Sequence, residues 1–241
     1  MALNPRLLGP VLAAAIAIAA VAAPGAAAEV QHSFTSEVEP TELTGSGGVH
    51  EWKLGSATMK CAHVGLTGVL PNKTSDQMSL TPEFKECKLS GAFGSAPVTV
   101  TNTGCKTTFD SDTTPDPNTT KKEDAVVSLD CGHANVLSFA AVIEGEGVYF
   151  HFFDTHPEGV PVNQELHGAS YEVIGEGLSG FGLSISMHVF GLQFLCTGAR
   201  CEEFGLVEGT NKGGTTIGGY QVFGYADAKH EQKVNLGLSS P

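Results

Sequence analysis

Along most of the chain, apolar and polar residues alternate with a period of two. The clearest run is LSISMHVF, residues 183–190, where Leu183, Ile185, Met187 and Val189 alternate with Ser184, Ser186, His188 and Phe190. A period of two puts each set on its own face of an extended strand, whereas a helix would repeat every ~3.6 residues. PVTVTN (97–102) behaves alike, with Val98 and Val100 against Thr99 and Thr101. ATMKC (57–61), SLTPEF (79–84) and AVVSLDC (125–131) read as further strands. Pro82 lacks an N–H, which predicts an edge position for its strand. VLSFAAVI (136–143) and VYFHFF (148–153) flank EGEG, a hairpin signal. ELHGASYEVI (165–174) and GLQFLC (191–196) continue the pattern. TTIGGYQVFGYAD (215–227) reads as a strand pair interrupted by glycine, and ADAKHEQKV (226–234) as one helical turn or a frayed end. DSDTTPDPNTTKKED (110–124) has no apolar residue besides its prolines and predicts a solvated loop.

Strands at this density, with turn signals every ~8–12 residues, predict an all-β antiparallel sandwich or barrel-like architecture. The 30 glycines among 241 residues suit many tight turns. A division near residue 132 predicts two packed β-modules, 29–132 and 133–235, followed by a tail at 236–241. One continuous sandwich is the alternative.

The first 28 residues break the pattern. Arg6 precedes an unbroken apolar run from Val11 to Ala23, Pro24 and Gly25 end it, and Ala26-Ala27-Ala28 follows. This is the layout of a secretory signal peptide cleaved after Ala28. The apolar run is short of the ~20 residues that a bilayer demands. The expectation is a secreted protein, extracellular or associated with the cell surface, with no membrane insertion after cleavage.

Export changes the reading of the cysteines. There are 6: Cys61, Cys87, Cys105, Cys131, Cys196 and Cys201. An even count in an exported chain predicts disulfides. Six cysteines allow 15 pairings, but spacing favours the local pairs Cys61–Cys87, Cys105–Cys131 and Cys196–Cys201, the last bracketing TGAR. A zinc site is disfavoured, because no C-x-x-C or C-x-x-H pair is present. The net charge of −13 argues against nucleic acid and anionic membrane surfaces as partners.

Several segments together resemble a known group: FTSEVEPTELTG, MKC, PEFKECKLSGAFGSAPVTVTNTGC, VSLDC, VPVNQELHGASYEV and GGYQVFGYAD. The chain resembles the exported, β-rich, disulfide-containing proteins that soil actinobacteria encode in multiple copies. The resemblance covers most of the mature chain and implies a β-fold and export. It brings no activity with it. The group typically has a further cysteine pair in its second half, with one member near Glu144–Gly147, where this chain has none.

HFFDTHP places His151, Asp154 and His156 close in sequence, and imidazole plus carboxylate is a zinc or iron donor set. A strand followed by a turn does not make them converge, so turn and surface residues are the expectation; His133, His167 and His188 have no assigned partner. Asp110, Asp112 and Asp116 invite calcium, but Thr114, Pro115 and Lys121 stand where the EF-hand pattern needs an acid or amide, Gly and Glu. Gly177-Leu178-Ser179-Gly180-Phe181 departs from the nucleophile elbow at its last position and lies in a β context. No phosphate-binding or dinucleotide motif is present. Asn72 and Asn118 fit the glycosylation triplet. Phe150, Phe152 and Phe153, beside Tyr149, are expected in the core, with Trp52, Tyr171, Tyr220 and Tyr225 scattered. These readings leave no catalytic, cofactor or metal residues. The expectation is a non-enzymatic extracellular or cell-surface protein, structural or binding, whose partner classes are cell-wall or extracellular polysaccharide and protein. The alternative is a secreted polysaccharide hydrolase, which would need two carboxyl groups ~5–9 Å apart in a cleft.

Overall fold

The computed structural model describes residues 33–111, 125–131, 136–152, 163–175, 179–180 and 182–239. The alternation becomes an all-β antiparallel fold. The wall strands are β2 (Thr41–Gly47), β3 (His50–Leu54), β4 (Ala57–Leu70), β6 (Gln77–Gly91), β7 (Gly94–Asn102), β8 (Lys106–Asp110), β9 (Ala125–Asp130), β10 (Leu137–Ile143), β11 (Glu146–Phe152), β12 (Asn163–Ile174), β14 (Gly182–Thr197) and β15 (Gly209–Tyr225). With β16 (Lys233–Val234), which pairs with β15, they form one 13-stranded sheet. A 4-stranded sheet holds β1 (Ser33–Ser36), β5 (Thr74–Ser75), β13 (Ser179–Gly180) and β17 (Leu236–Ser239).

The pairings of the large sheet close on themselves. Four strands are long and unbroken: β4, β6, β14 and β15. Between them β2 with β3, β7 with β8, β9 with β10, and β11 with β12 run end to end as four interrupted strands. Taken in chain order, each of these eight courses pairs with the next. The last, β15, returns to pair with β2 and β3. The result is an eight-course up-and-down barrel, a size whose interior side chains can just fill.

Inward positions are apolar and outward positions mostly polar, as in β4, whose Ala57, Met59 and Cys61 are buried between partly or fully exposed neighbours. This is the inverse of a barrel immersed in lipid. Among the described residues no helix is long and apolar enough to cross a membrane.

The core falls into two clusters stacked along the barrel. The upper one centres on Trp52, Met59, Leu89, Phe139, Phe150, Phe152 and Phe194 and holds all six cysteines. The lower one includes Leu43, Leu66, Met78, Phe109, Ile185 and Val222. Each fully buried side chain of this kind contributes roughly 1.5–3 kcal/mol. The strands on either side of residue 132 in the sequence, β9 and β10, both belong to the closed wall, and both clusters draw on residues from before and after that position. The two parts of the core are therefore stacked along shared strands, not arranged one after the other in the chain.

Each end of the barrel is covered by the chain. At the upper end the β14–β15 connection folds inward through the Cys196–Cys201 disulfide and a 3₁₀ turn at Glu202–Phe204. Phe204 is buried, and its carbonyl accepts a hydrogen bond from the Ser56 N–H at 2.8 Å. At the lower end the small sheet lies across the opening, with Phe34, Leu236 and Leu238 buried in the lower core.

Three expectations change. Pro82 is not in an edge strand: it sits in the middle of β6, opposite Leu66 of β4. Pairing of β6 toward β7 and β8 lapses between Leu80 and Lys88, so a residue without an N–H breaks no ladder bond there. TTIGGYQVFGY lies within one strand, β15: Gly218 and Gly224 do not turn the chain but make room for the side chains of His50 and Leu236. Leu236–Ser239 is not a free tail but the lid strand β17, paired with β1.

Candidate functional site

The three local disulfides are formed. Cys61 and Cys87 face each other across β4 and β6. Cys105–Cys131 joins the ends of β8 and β9, and Cys196–Cys201 closes the plug. Arg200 within that plug is nearly buried and reaches three carboxylates: Glu144 at 2.7 Å, Glu146 at 3.0 Å and Glu203 at 3.0 Å. The hydrogen bond to Glu144 leads in holding the guanidinium protonated. Glu144 and Glu146 belong to the β10–β11 hairpin, so Arg200 latches the plug to the wall.

At the waist, between the two core clusters, lies a buried polar group. His50 Nε2 is 2.5 Å from Thr216 Oγ1, and Nδ1 is hydrogen-bonded to the Tyr220 hydroxyl. The imidazole packs on Trp52 at 4.0 Å between ring centres and meets the edge of Phe84. A cavity of about 40 Å³ adjoins these groups, with apolar walls from Leu129, Leu166 and Val189. That volume holds a water or two. Burial lowers the His50 pKa to about 3 and raises that of the Tyr220 phenol. The imidazole is therefore neutral. In either tautomer one ring nitrogen donates and the other accepts, so both hydroxyl partners are satisfied.

A hydroxyl against an imidazole is the arrangement of a nucleophile and its base. Here the chemistry does not follow. A general base works best with a pKa near the operating pH, and this one is several units too weak. The cavity also has no room for a substrate. The cluster is a satisfied polar knot that joins β3 to β15. Gly218 makes room for it: a Cβ there would lie 2.5 Å from His50 Nδ1.

On the outer wall, directly across β15 from this knot, is a hollow of about 470 Å³. Ser46, Gly48, Ser184, Ser186, Gly219 and Gln221 line it. Ser184, Gln221 and Ser46 stand in one row across β14, β15 and β2. Small residues make the wall thin here: a Cβ on Gly47 would lie 2.6 Å from the Gly219 carbonyl and from the Tyr220 ring. The side chains of Ser46, Ser184, Ser186 and Gln221 make no hydrogen bond to another described residue. Next along β14, His188 and Phe190 also point outward, with ring centres 4.4 Å apart, and Phe190 is 59% exposed.

Among the described residues, those singled out from the sequence are not brought together. His151 lies in β11, 3.4 Å from Thr197 Oγ1, while Asp154 and His156 lie outside the described residues, as do Asp112, Asp116, Asn118, His133, Phe153 and residues 1–28. Asp110 ends β8, and its carbonyl accepts from the Tyr171 hydroxyl at 3.1 Å. Ser179 belongs to lid strand β13. Asn72 is exposed in the turn after β4. Phe150 and Phe152 are core, as expected. Among the described residues no group of three or more His, Cys, Asp or Glu is placed to hold a metal. The knot of His50, Thr216 and Tyr220 escaped sequence reading, since its members are 166 and 170 residues apart and follow no motif. Comparison with protein-family models, curated proteins and solved structures gives no match.

Proposed function

We propose that this chain is an exported, non-enzymatic protein that works outside the cell or at its surface, by binding or as structure. The observation that carries this reading is the closure of the barrel. Both ends are covered by the chain's own segments, and the buried polar knot is answered within the protein. What meets a partner is then the outer wall. Three disulfides fit an oxidising compartment, and the N-terminal segment supplies the export signal. The carboxylates drawn together at Glu144, Glu146 and Glu203 surround a guanidinium and lie on an exposed rim, which suits a latch and not a pair flanking a scissile bond.

The test is expression with the native leader, followed by intact-mass measurement and incubation with isolated cell wall, insoluble polysaccharides and immobilised extracellular protein. The expected outcome is an exported chain beginning at Glu29 that is retained on one of these without releasing soluble product. A chain starting at Met1 inside the cell overturns the export reading, and steady release of sugar overturns the non-enzymatic one.

A further inference from the structure

We infer that the hollow over β14, β15 and β2 binds a neutral polysaccharide chain, with His188 and Phe190 as its stacking platform. This rests on the reading of the protein as an exported binder and names the ligand class.

The polar lining is of the right kind. The Gln221 amide offers two donors and an acceptor, and the hydroxyls of Ser46, Ser184 and Ser186 offer both roles. A sugar hydroxyl needs both roles, and none of these four side chains is engaged elsewhere among the described residues. The row Ser184–Gln221–Ser46 crosses three strands at ~4.8 Å intervals, giving a ladder of contacts instead of a single point.

The platform continues the hollow. Ser184, Ser186, His188 and Phe190 alternate with buried residues on β14, so all four project outward, ~7 Å from one to the next. An exposed aromatic pair beside unengaged hydroxyls presents an apolar face and hydrogen bonds together, which matches the two sides of a pyranose ring. Charge narrows the class. No Asp, Glu, Lys, Arg or His lines the hollow. The residue flanking Ser184 on β12 is Glu172, and the chain carries a net charge of −13. Anionic polymers are repelled on approach.

The experiment uses the mature, disulfide-intact protein with microcrystalline cellulose and chitin as neutral probes and polygalacturonate as the anionic one. Gly219→Leu fills the hollow: a Cβ there has its nearest neighbour, the Ile185 carbonyl oxygen, at 3.9 Å, so the side chain enters without collision. Retention on a neutral polymer is expected to be abolished in Gly219→Leu and weakened roughly two- to tenfold in Phe190→Ala. Gln221→Ala is the companion variant, expected to weaken retention as well, and melting curves establish that each variant is folded. Retention that survives in folded Gly219→Leu and Phe190→Ala overturns the site. Failure to bind either neutral polymer, or equal binding to polygalacturonate, overturns the ligand class. Neither result touches the reading of an exported, non-enzymatic protein: its export part fails if the chain stays in the cell, and its non-enzymatic part fails if product is released.

Discussion

The two ends of the barrel are closed by different means. The upper end is held covalently: every disulfide borders the upper core, and the plug is a short excursion between adjacent strands, pinned by Cys196–Cys201 and Arg200. The lower end has no disulfide. Its lid is built from β1 and β17, whose register pairs Phe34 with Leu238 across almost the whole chain. The upper closure is local in sequence and constrains the unfolded chain. The lower one is long-range and depends on apolar burial. Since β4, β6, β14 and β15 run through both cores, the two ends share one wall, and damage at either should be felt as one cooperative transition.

The largest effect should come from removing Cys61–Cys87 and Cys105–Cys131 together, as paired Cys→Ala changes. Each closes a loop of 26 residues, worth about 3.5 kcal/mol in a chain-entropy picture. Against a typical total of ~5–15 kcal/mol, the double removal should leave the barrel largely unfolded, lower core included. Denaturant melts followed by far-UV and aromatic signals would show it. Two separate transitions would mean the halves are independent after all.

The lid comes next. Phe34 is 1% exposed and packs edge-on against Tyr171 at 5.2 Å. Phe34→Ala should cost about 3–5 kcal/mol, with the upper disulfides intact. Hydrogen exchange should rise first in β1 and β17. If β14 and β15 open at the same rate, the lid is not a separable closure.

The waist sharpens the comparison, because it belongs to neither end. Tyr220→Phe leaves His50 Nδ1 without its partner and should cost about 1–3 kcal/mol. Acid provides a second probe. His50 has an ordinary value of 6.5 and a folded value of about 3, so below pH 6.5 the unfolded chain binds a proton that the folded chain refuses. Stability from this residue is complete above pH 6.5. It falls by about 1.4 kcal/mol per pH unit on acidification toward pH 3. His50→Gln should flatten the acid limb of a stability–pH profile by that slope, and parallel limbs would disprove the assignment.

The plug is expected to matter less than the long disulfides or the lid. Cys196–Cys201 closes a loop of only 5 residues, worth about 2 kcal/mol on the same model. Arg200→Ala should lower the melting temperature least, because its three carboxylate partners are half-exposed or more. If either plug change proves worse than losing a long disulfide, native packing around Phe204, and not unfolded-chain entropy, sets its contribution.

The sequence by itself determined most of the strands and their inward faces, and its spacing favoured the local disulfides. Leu183, Ile185, Met187 and Val189 are buried because a period of two leaves them no other face, and Cys61 and Cys87 meet because a hairpin brings equal distances on either side of a turn together. It did not determine barrel closure. That depends on Gly47, Ser46 and Gly45 of β2 lying against β15, a pairing of residues more than 170 positions apart, for which alternation carries no information about partners. The same holds for the lid, where LGLS near the C-terminus reads as a tail until Phe34 is beside it. The waist knot and the outer hollow are likewise products of closure. His50, Thr216 and Tyr220 form a site only once β3 and β15 are neighbours. Ser46, Ser184 and Gln221 form a row only once three strands stand in register, because side-chain chemistry is written along the chain while adjacency is settled by how the whole wall buries its apolar face.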